Sequence, residues 1–211
     1  MKLPLTFLLL SALCLAVLPA LAQDRDIYDN GPTNGTTDAW TINFGFTVSN
    51  SFTVTSNSDI IDGLAFAVWL NPGDVLQSAE ISISSQEFGG ISYFDDNVTF
   101  TQSNCVSNQF GLDVCTETGR LNNGGELAPG TYWLNIQSAT VNSGNPVYWD
   151  ENSGPSSASQ NELGTIPSES FTIFARGGTE SGTGTTPEPS SVVLFGSGIL
   201  GVANLLRRRL H

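Results

Sequence analysis

Residues 64–84 read LAFAVWLNPGDVLQSAEISIS, which is two runs of alternating apolar residues on either side of a turn. In the first run, large apolar side chains recur at every second position: Leu64, Phe66, Val68 and Leu70. That period places them on one face of a β-strand. The NPGD segment at 71–74 suits a tight turn, because Pro presets φ and Gly accepts unusual backbone angles. The second run repeats the alternation, so the stretch predicts two strands, the first of them central in its sheet.

The same period-2 pattern recurs along the chain from residue 40 to residue 174. Residues 40–48 alternate apolar and polar side chains, residues 52 and 54 extend that pattern, and residues 131–139 repeat it. Shorter runs lie at 91–94, 98–101, 110–114, 147–149 and 170–174. Turn signals recur about every eight to twelve residues, and no helical period of useful length interrupts them. The pattern predicts an all-β protein with an antiparallel β-sandwich or jelly roll.

The first 22 residues have the features of a secretory signal peptide. Lys2 is the only charge before an apolar run from Leu5 to Leu18, and residues 20–22 follow the small-residue pattern that signal peptidases accept. We expect cleavage between Ala22 and Gln23. Signal peptidase is therefore the first predicted partner.

The C-terminal stretch PEPSSVVLFGSGILGVANLLRRR, at 187–209, joins a short motif, an apolar segment and a basic end. Its motif is Pro187, Glu188 and Pro189, and its basic end is Arg207, Arg208 and Arg209. The 17 uncharged residues between them would reach about 25 Å as a helix, slightly less than the ~30 Å hydrocarbon core. Because arginines favour the cytoplasmic side, we predict a C-terminal transmembrane helix with the rest of the chain outside.

This order of motif, apolar segment and arginines resembles the PEP-CTERM protein-sorting signal of Gram-negative bacteria. Proteins with that signal are exported and then cut near the tripeptide by a membrane protease called an exosortase. The resemblance implies an exosortase-type partner, an anchored inner-membrane precursor and a final place at the cell surface or outside the cell. An ordinary membrane anchor is the alternative. The resemblance implies no activity for the rest of the chain.

The predicted organisation has four parts. They are a signal peptide at 1–22, a β-sandwich domain at 23–176, a flexible linker at 177–186 and the sorting tail at 187–211. The linker, GGTESGTGTT, has no apolar residue. Within the domain, LAPGTYWLNI at 127–136 resembles a strand entry of secreted jelly-roll domains.

The net charge and composition of the region between the two targeting segments limit its possible partners and catalytic groups. Residues 23–186 contain 3 arginines and 19 acidic residues, for a net charge of about −16. A nucleic-acid partner is excluded, because phosphate neutralisation needs clustered Lys and Arg. The only histidine, His211, and the only lysine, Lys2, lie outside this region. Catalytic Ser-His-Asp or Cys-His groups, histidine metal clusters and Schiff-base lysines are therefore excluded there.

Two cysteines remain after removal of the signal peptide, Cys105 and Cys115. An even pair in an exported chain predicts a disulfide. Closing so short a loop stabilises the fold by about 2–3 kcal/mol.

Acidic and amide side chains cluster at several predicted turns. The cluster of Asp150, Glu151 and Asn152 directly follows two aromatic residues at a predicted strand end. Carboxylate and amide oxygens are the ligands that calcium takes, so this cluster is the candidate metal site. Ordinary turn chemistry is the alternative. Calcium is the one cofactor that the sequence suggests.

The remaining features favour a non-catalytic surface or matrix protein that associates with extracellular polysaccharide. Its candidate sugar-stacking residues are aromatic: Trp69, Trp133, Tyr148 and Trp149. Core packing is the alternative for each of them. A second function class is a glycoside hydrolase with a carboxylate pair, Asp95 or Asp96 with Asp150 or Glu151. A third, ice binding, rests only on the similar tail of some bacterial ice-binding proteins.

Overall fold

The computed structural model describes residues 24–55, 59–122 and 124–176, and within these ranges the chain forms strands and turns but no helix. The strands are β1 (Asp24–Asp29), β2 (Ala39–Thr41), β3 (Thr47–Val54), β4 (Asp59–Leu70), β5 (Leu76–Gln86), β6 (Gly89–Ser107), β7 (Asp113–Arg120), β8 (Glu126–Leu127), β9 (Gly130–Val141), β10 (Tyr148–Asp150), β11 (Ala158–Gln160), β12 (Gly164–Ile166) and β13 (Phe171–Arg176). All their pairings are antiparallel, so the predicted all-β antiparallel class is confirmed. The described segments include no helix with the length and hydropathy needed to cross a bilayer. The predicted signal peptide, linker and sorting tail lie outside them.

The strands form one curled sheet, which we describe as two halves. Sheet A has the order β1-β13-β4-β7-β6, and β10 and β8 also pair with β4 while β2 pairs with β10. Sheet B has the order β6-β5-β9-β3-β11-β12. Strand β6 belongs to both: Gly89–Thr99 pairs with β5, and Phe100–Ser107 pairs with β7. One 19-residue strand therefore links the halves, and their apolar faces pack together in a sandwich-like arrangement.

The core lies between the apolar faces that the opening stretch predicts. The four alternating residues of β4 are buried, and so are Ala79, Ile81 and Ile83 of β5. Strand β4 pairs with β13 on one side and β7 on the other, so its central position is confirmed. Each fully buried side chain of this size contributes about 1.5–3 kcal/mol through removal of apolar surface from water. Burial of these alternating side chains thus contributes to the driving force for folding.

The predicted continuous strand at 40–48 is wrong, because a turn divides it into β2 and β3. The Phe46 N–H donates to the Asn43 carbonyl at 3.1 Å, and Phe44 and Gly45 have φ values of 56° and 91°. Phe44 is consequently 65 % exposed rather than buried. The buried Asn43 side chain holds this turn by donating to the Asn145 carbonyl and accepting from the Val147 N–H. Alternation in the sequence continues through the turn, so the pattern alone does not reveal it.

The segment around the cysteines confirms one prediction and corrects another. Cys105 on β6 and Cys115 on β7 form the predicted disulfide, which joins the two arms of a hairpin. A β-bulge lies beside it, with Asn104 at a φ of 52°. The predicted strand at 110–114 instead begins at residue 113, and residues 108–112, called here the β6–β7 tip, form a turn. The turn forms because the Asn108 side chain accepts backbone N–H bonds that would otherwise pair across a ladder.

Glu117 is a carboxyl group inside the sandwich. It faces inward from β7, opposite Phe66 of β4, and none of its surface is exposed. Neither of its carboxyl oxygens has a hydrogen-bond partner. Removal from water disfavours the charged form and raises the pKa of Glu117 from 4.5 to about 8. Glu117 is therefore protonated at neutral pH.

This burial predicts that part of the stability is lost as pH rises. The raised pKa means that the folded chain holds a proton that the unfolded chain releases between pH 4.5 and 8, so the unfolding free energy falls across that window. One pKa unit is worth about 1.4 kcal/mol, and the loss is on the order of a few kcal/mol. We expect Glu117→Gln to remove the Glu117 contribution to that slope, so that the variant matches the natural protein at pH 4.5 and has a higher melting temperature at pH 8.

Melting curves from pH 4.5 to 9 check this expectation. Glu162→Gln is the matched control, because Glu162 is exposed. Parallel pH profiles for Glu117→Gln and the natural protein would contradict a proton held on Glu117.

Candidate functional site

The structure separates the four candidate stacking aromatics. Trp149 is fully buried in the core, where its indole N–H donates to the Ser170 carbonyl at 2.9 Å and its ring packs edge-on against Phe66. Side chains alternate between the two faces of the sheet along β10. Tyr148, next to Trp149, therefore points to the outer side of sheet A, where its register partner is Trp69 of β4. Trp149 is thus a core residue rather than a surface for sugar. Trp133 lies on the outer side of sheet B, whereas the other three candidates belong to strands of sheet A.

Asp150, a candidate calcium ligand, is a fully buried carboxylate on β10. Its oxygens accept from the backbone N–H groups of Asn34 and Gly35, both at 2.7 Å, and from the Trp69 indole N–H at 2.6 Å. The Ser170 hydroxyl donates at 3.3 Å. These four donors surround the charge. Asp150 therefore joins the loop after β1 to β4 and to the residue before β13.

The neighbours of Asp150 have different surroundings. Glu151 accepts from the Trp40 indole N–H at 3.3 Å, and Asn152 donates to the Asn30 carbonyl at 2.8 Å. Among the residues that the structure describes, no three His, Cys, Asp or Glu side chains are grouped so that they could hold a metal ion. Calcium at this cluster stays a prediction, and binding at Asp150 would require displacement of donors already in place.

A second buried acid lies next to this cluster. Glu169 is fully buried; one carboxyl oxygen accepts from the Asn50 amide, and the other has no partner. Desolvation raises the pKa of Glu169 to about 9, the Asn50 hydrogen bond opposes the rise, and the charges of Glu151 and Asp150 add to it. Glu169 is thus neutral at pH 7 and belongs to the polar part of the core.

The carboxylates of the predicted hydrolase pair, Asp95 or Asp96 with Asp150 or Glu151, come from different halves of the sheet. Asp95 and Asp96 lie on the part of β6 that pairs with β5 in sheet B, whereas Asp150 lies on β10 of sheet A. Both β6 carboxylates are exposed, and Asp150 is buried.

The outer side of sheet B carries polar side chains and the indole ring of Trp133. Trp133 on β9 is half-buried, and its register partners are Ser51 on β3 and Ser84 on β5. A cavity of about 560 Å³ lies beside it. We call this cavity the Trp133 cleft, and its lining residues are Gln86, Glu87, Trp133, Ser157, Ala158, Ser159 and Thr165.

One wall of the Trp133 cleft is the β5–β6 tip, residues 86–89, which turns back over the sheet. The Phe88 N–H donates to the Asn135 side-chain oxygen at 3.0 Å, with Phe88 at a φ of 56°. Glu87 then accepts from the Ser159 hydroxyl on β11 at 2.7 Å. This contact brings a carboxylate to the rim near the indole ring. Sequence reasoning missed Glu87, since the glycines at 89–90 indicate a turn but not its direction.

Asn135 holds the β5–β6 tip in this position. Its oxygen accepts from the Ser49 hydroxyl at 2.6 Å as well as from Phe88, and its amide donates to Ser82 and Ser84 at 3.1 and 2.8 Å. Every donor and acceptor of the buried amide is used, which makes such a network rigid. The wall of the cleft is therefore preorganised.

The charge around the Trp133 cleft has one sign. The strands of sheet B contain no Lys or Arg, and carboxylates lie on β5, on β6 and at the tip between them: Glu80, Asp95 and Glu87. The three arginines of residues 23–186 are on β1, β7 and β13 of sheet A. These negative charges would repel an anionic polymer, so the cleft suits an uncharged ligand.

The class of protein is defined by the end of the chain, where residues 185–209 match a C-terminal sorting signal. The matching family model is the PEP-CTERM protein-sorting motif, and the predicted resemblance is confirmed. The motif implies an exported protein with a C-terminal membrane-anchoring signal and processing by an exosortase. It covers 25 of the 211 residues and assigns no role to the strands. A comparison with curated proteins gives no match.

The contacts of Asp150 predict a large cost for loss of its charge. Asp150→Asn keeps the shape but offers an NH₂ group to donors that need an acceptor, so we expect a loss of about 3–5 kcal/mol in unfolding free energy. Denaturant unfolding measures the loss. Asp38→Asn is the control, because Asp38 is exposed and its side chain accepts only from the next residue's N–H. Equal midpoints for the two variants would contradict the role of Asp150.

Proposed function

We propose that the protein is an exported, non-catalytic surface or matrix protein whose sandwich-like domain holds uncharged polysaccharide in the Trp133 cleft. The observation that carries the proposal is a half-buried indole in a polar, preorganised cleft on an exported domain. In this proposal the ring of Trp133 stacks on the C–H face of a sugar. Gln86, Glu87 and the serine hydroxyls of the cleft bind the sugar's hydroxyl groups.

The lining of the Trp133 cleft supports binding without turnover. Glycoside hydrolysis by carboxylates needs two such groups about 5–9.5 Å apart on either side of the bond. Among the described residues that line the cleft, Glu87 is the one carboxylate. The region from 23 to 186 also offers no histidine or lysine as an alternative acid or base.

The two ends of the chain determine where this domain acts. In our proposal signal peptidase cuts before Gln23, and the exosortase cuts near Pro187, Glu188 and Pro189. The cut removes the apolar segment and the arginines, and the mature domain then reaches the cell surface or the extracellular matrix. Loss of such a tail leaves a protein with no transmembrane helix, as for lipid-anchored proteins that lose theirs.

Retention on insoluble polysaccharides tests the binding. We expect Trp133→Ala to lower retention on the polymer that the natural protein binds by about tenfold, equivalent to about 1.4 kcal/mol. We expect no release of reducing ends. Phe44→Ala is the control for loss of a surface aromatic ring, since Phe44 is exposed and lies outside the cleft. Unchanged retention for Trp133→Ala, or release of sugar that Glu87→Gln abolishes, would overturn the proposal.

Mass spectrometry of the protein from its own cells tests the processing. We expect an N-terminus at Gln23 and a C-terminus near Pro189. Peptides that contain Arg207 to His211 in the surface fraction would instead identify the tail as a retained anchor.

A further inference from the structure

A second aromatic surface lies on the outer side of sheet A, away from the Trp133 cleft. Phe110 at the β6–β7 tip is 54 % exposed, yet its ring stacks on Trp69 with centroids 5.4 Å apart and an interplanar angle of 24°. Trp69 is only 5 % exposed beneath it. The fold therefore presents one face of a phenyl ring to solvent and supports the other face with an indole.

Several contacts hold the β6–β7 tip in place. The Asn108 side-chain oxygen accepts from the N–H groups of Phe110 and Leu112 at 3.0 and 3.1 Å. The Gln109 amide donates to the Thr36 carbonyl at 2.9 Å, which ties the tip to the loop before β2. The disulfide joins the two strands just below the tip. An exposed aromatic ring held this firmly loses little conformational freedom when it binds a ligand.

The surroundings of Phe110 suit a single sugar ring. A cavity of about 210 Å³ lies beside it, lined by Thr37, Asp38, Ala39, Trp69, Phe110, Leu112 and Tyr148. This volume is smaller than the ~300–1,000 Å³ of sites for drug-sized ligands. Three aromatic side chains, those of Trp69, Phe110 and Tyr148, together with the Thr37 hydroxyl and the Asp38 carboxylate, offer both a stacking surface and hydrogen bonds. We call this group the Phe110 cleft.

The two clefts point in opposite directions. The residues on either side of Trp69 in β4, Val68 and Leu70, are in the core, so Trp69 projects outward from sheet A. The residues on either side of Trp133 in β9, Tyr132 and Leu134, are also in the core, so Trp133 projects outward from sheet B. Because the two sheets pack through their inner faces, a ligand in one cleft leaves the other free.

We propose that the Phe110 cleft is a second binding site for a neutral sugar ring, so that one molecule can bridge two polysaccharide chains. This inference rests on the proposed binding of polysaccharide in the Trp133 cleft. A polymer repeats the same sugar many times. Once one cleft has bound it, further sugar units stay near the protein at a high effective concentration, so weak contacts reinforce one another.

Equilibrium dialysis of the full protein, purified from its own cells, tests the bridge. The probes are cellohexaose, mannohexaose and chitohexaose, three uncharged oligosaccharides. We expect the natural protein to bind two molecules of at least one of them, and Phe110→Ala and Trp133→Ala to bind one each. Phe110→Tyr keeps the stacking ring and should restore two. Each variant should still unfold in a cooperative transition well above the temperature of dialysis, since both altered side chains lie outside the core.

The results separate this inference from the proposed function. One molecule bound by the natural protein and by Phe110→Ala, with none bound by Trp133→Ala, would overturn the second site and leave the Trp133 cleft standing. The reverse pattern would overturn the Trp133 cleft and the bridge together. No binding of any probe would overturn both proposals. Turbidity is the second readout. The natural protein should cloud a solution of a soluble polymer of the bound sugar by bridging its chains, and Phe110→Ala or Trp133→Ala should abolish the clouding.

Discussion

The buried carboxylate of Asp150 is the contact on which the outer side of sheet A depends. A charge with no exposed surface is costly unless donors surround it. Here two of the four donors are backbone N–H groups of the loop after β1, one is the Trp69 indole and one is a hydroxyl before β13. Removal of the whole carboxylate would take the acceptor away from all four donors together. Asp150 therefore fixes Trp69, which in turn supports Phe110.

The acidity of the domain is partly relieved inside the fold. Glu117 and Glu169 are both buried, and their pKa values rise to about 8 and 9, so neither carries a charge at pH 7. Arg120, between Asp24 and Asp62, pairs with both carboxylates. The folded domain consequently has less negative charge than the formal count of about −16 for residues 23–186. The remaining carboxylates of sheet B are spread over its outer side, where water screens them.

The sequence predicts those parts of the fold in which side-chain alternation and burial coincide. It does so in β4, β5 and β9, where every second residue meets the core, and for the disulfide, which an even pair of cysteines implies. It fails at residues 43–46, because Phe44 continues the alternation while its backbone turns. It also cannot show that β6 runs through both sheets, since the change of partner at Thr99 and Phe100 is decided by β5 and β7.

The candidate sites could be predicted only in part, for a similar reason. Trp69, Trp133 and Trp149 are equally aromatic in the sequence, but one supports an exposed ring, one lines a cleft and one fills the core. Side-chain direction separates the outward pair from Trp149. What surrounds each outward ring depends on turns that fold back over the sheets. Glu87 and Phe110 are in such turns, so tertiary structure is needed to place them.

Both clefts are open to solvent, which suits the proposed binding of a polymer. A shallow cleft around one aromatic ring leaves much of a sugar in water, so a single contact is weak and its ligand exchanges rapidly. A receptor for a free sugar would need a deeper site. A polymer instead presents the same sugar many times, and repeated weak contacts then hold it firmly while each remains reversible. Our proposal places many copies of this domain at one surface, which is the condition under which such contacts suffice.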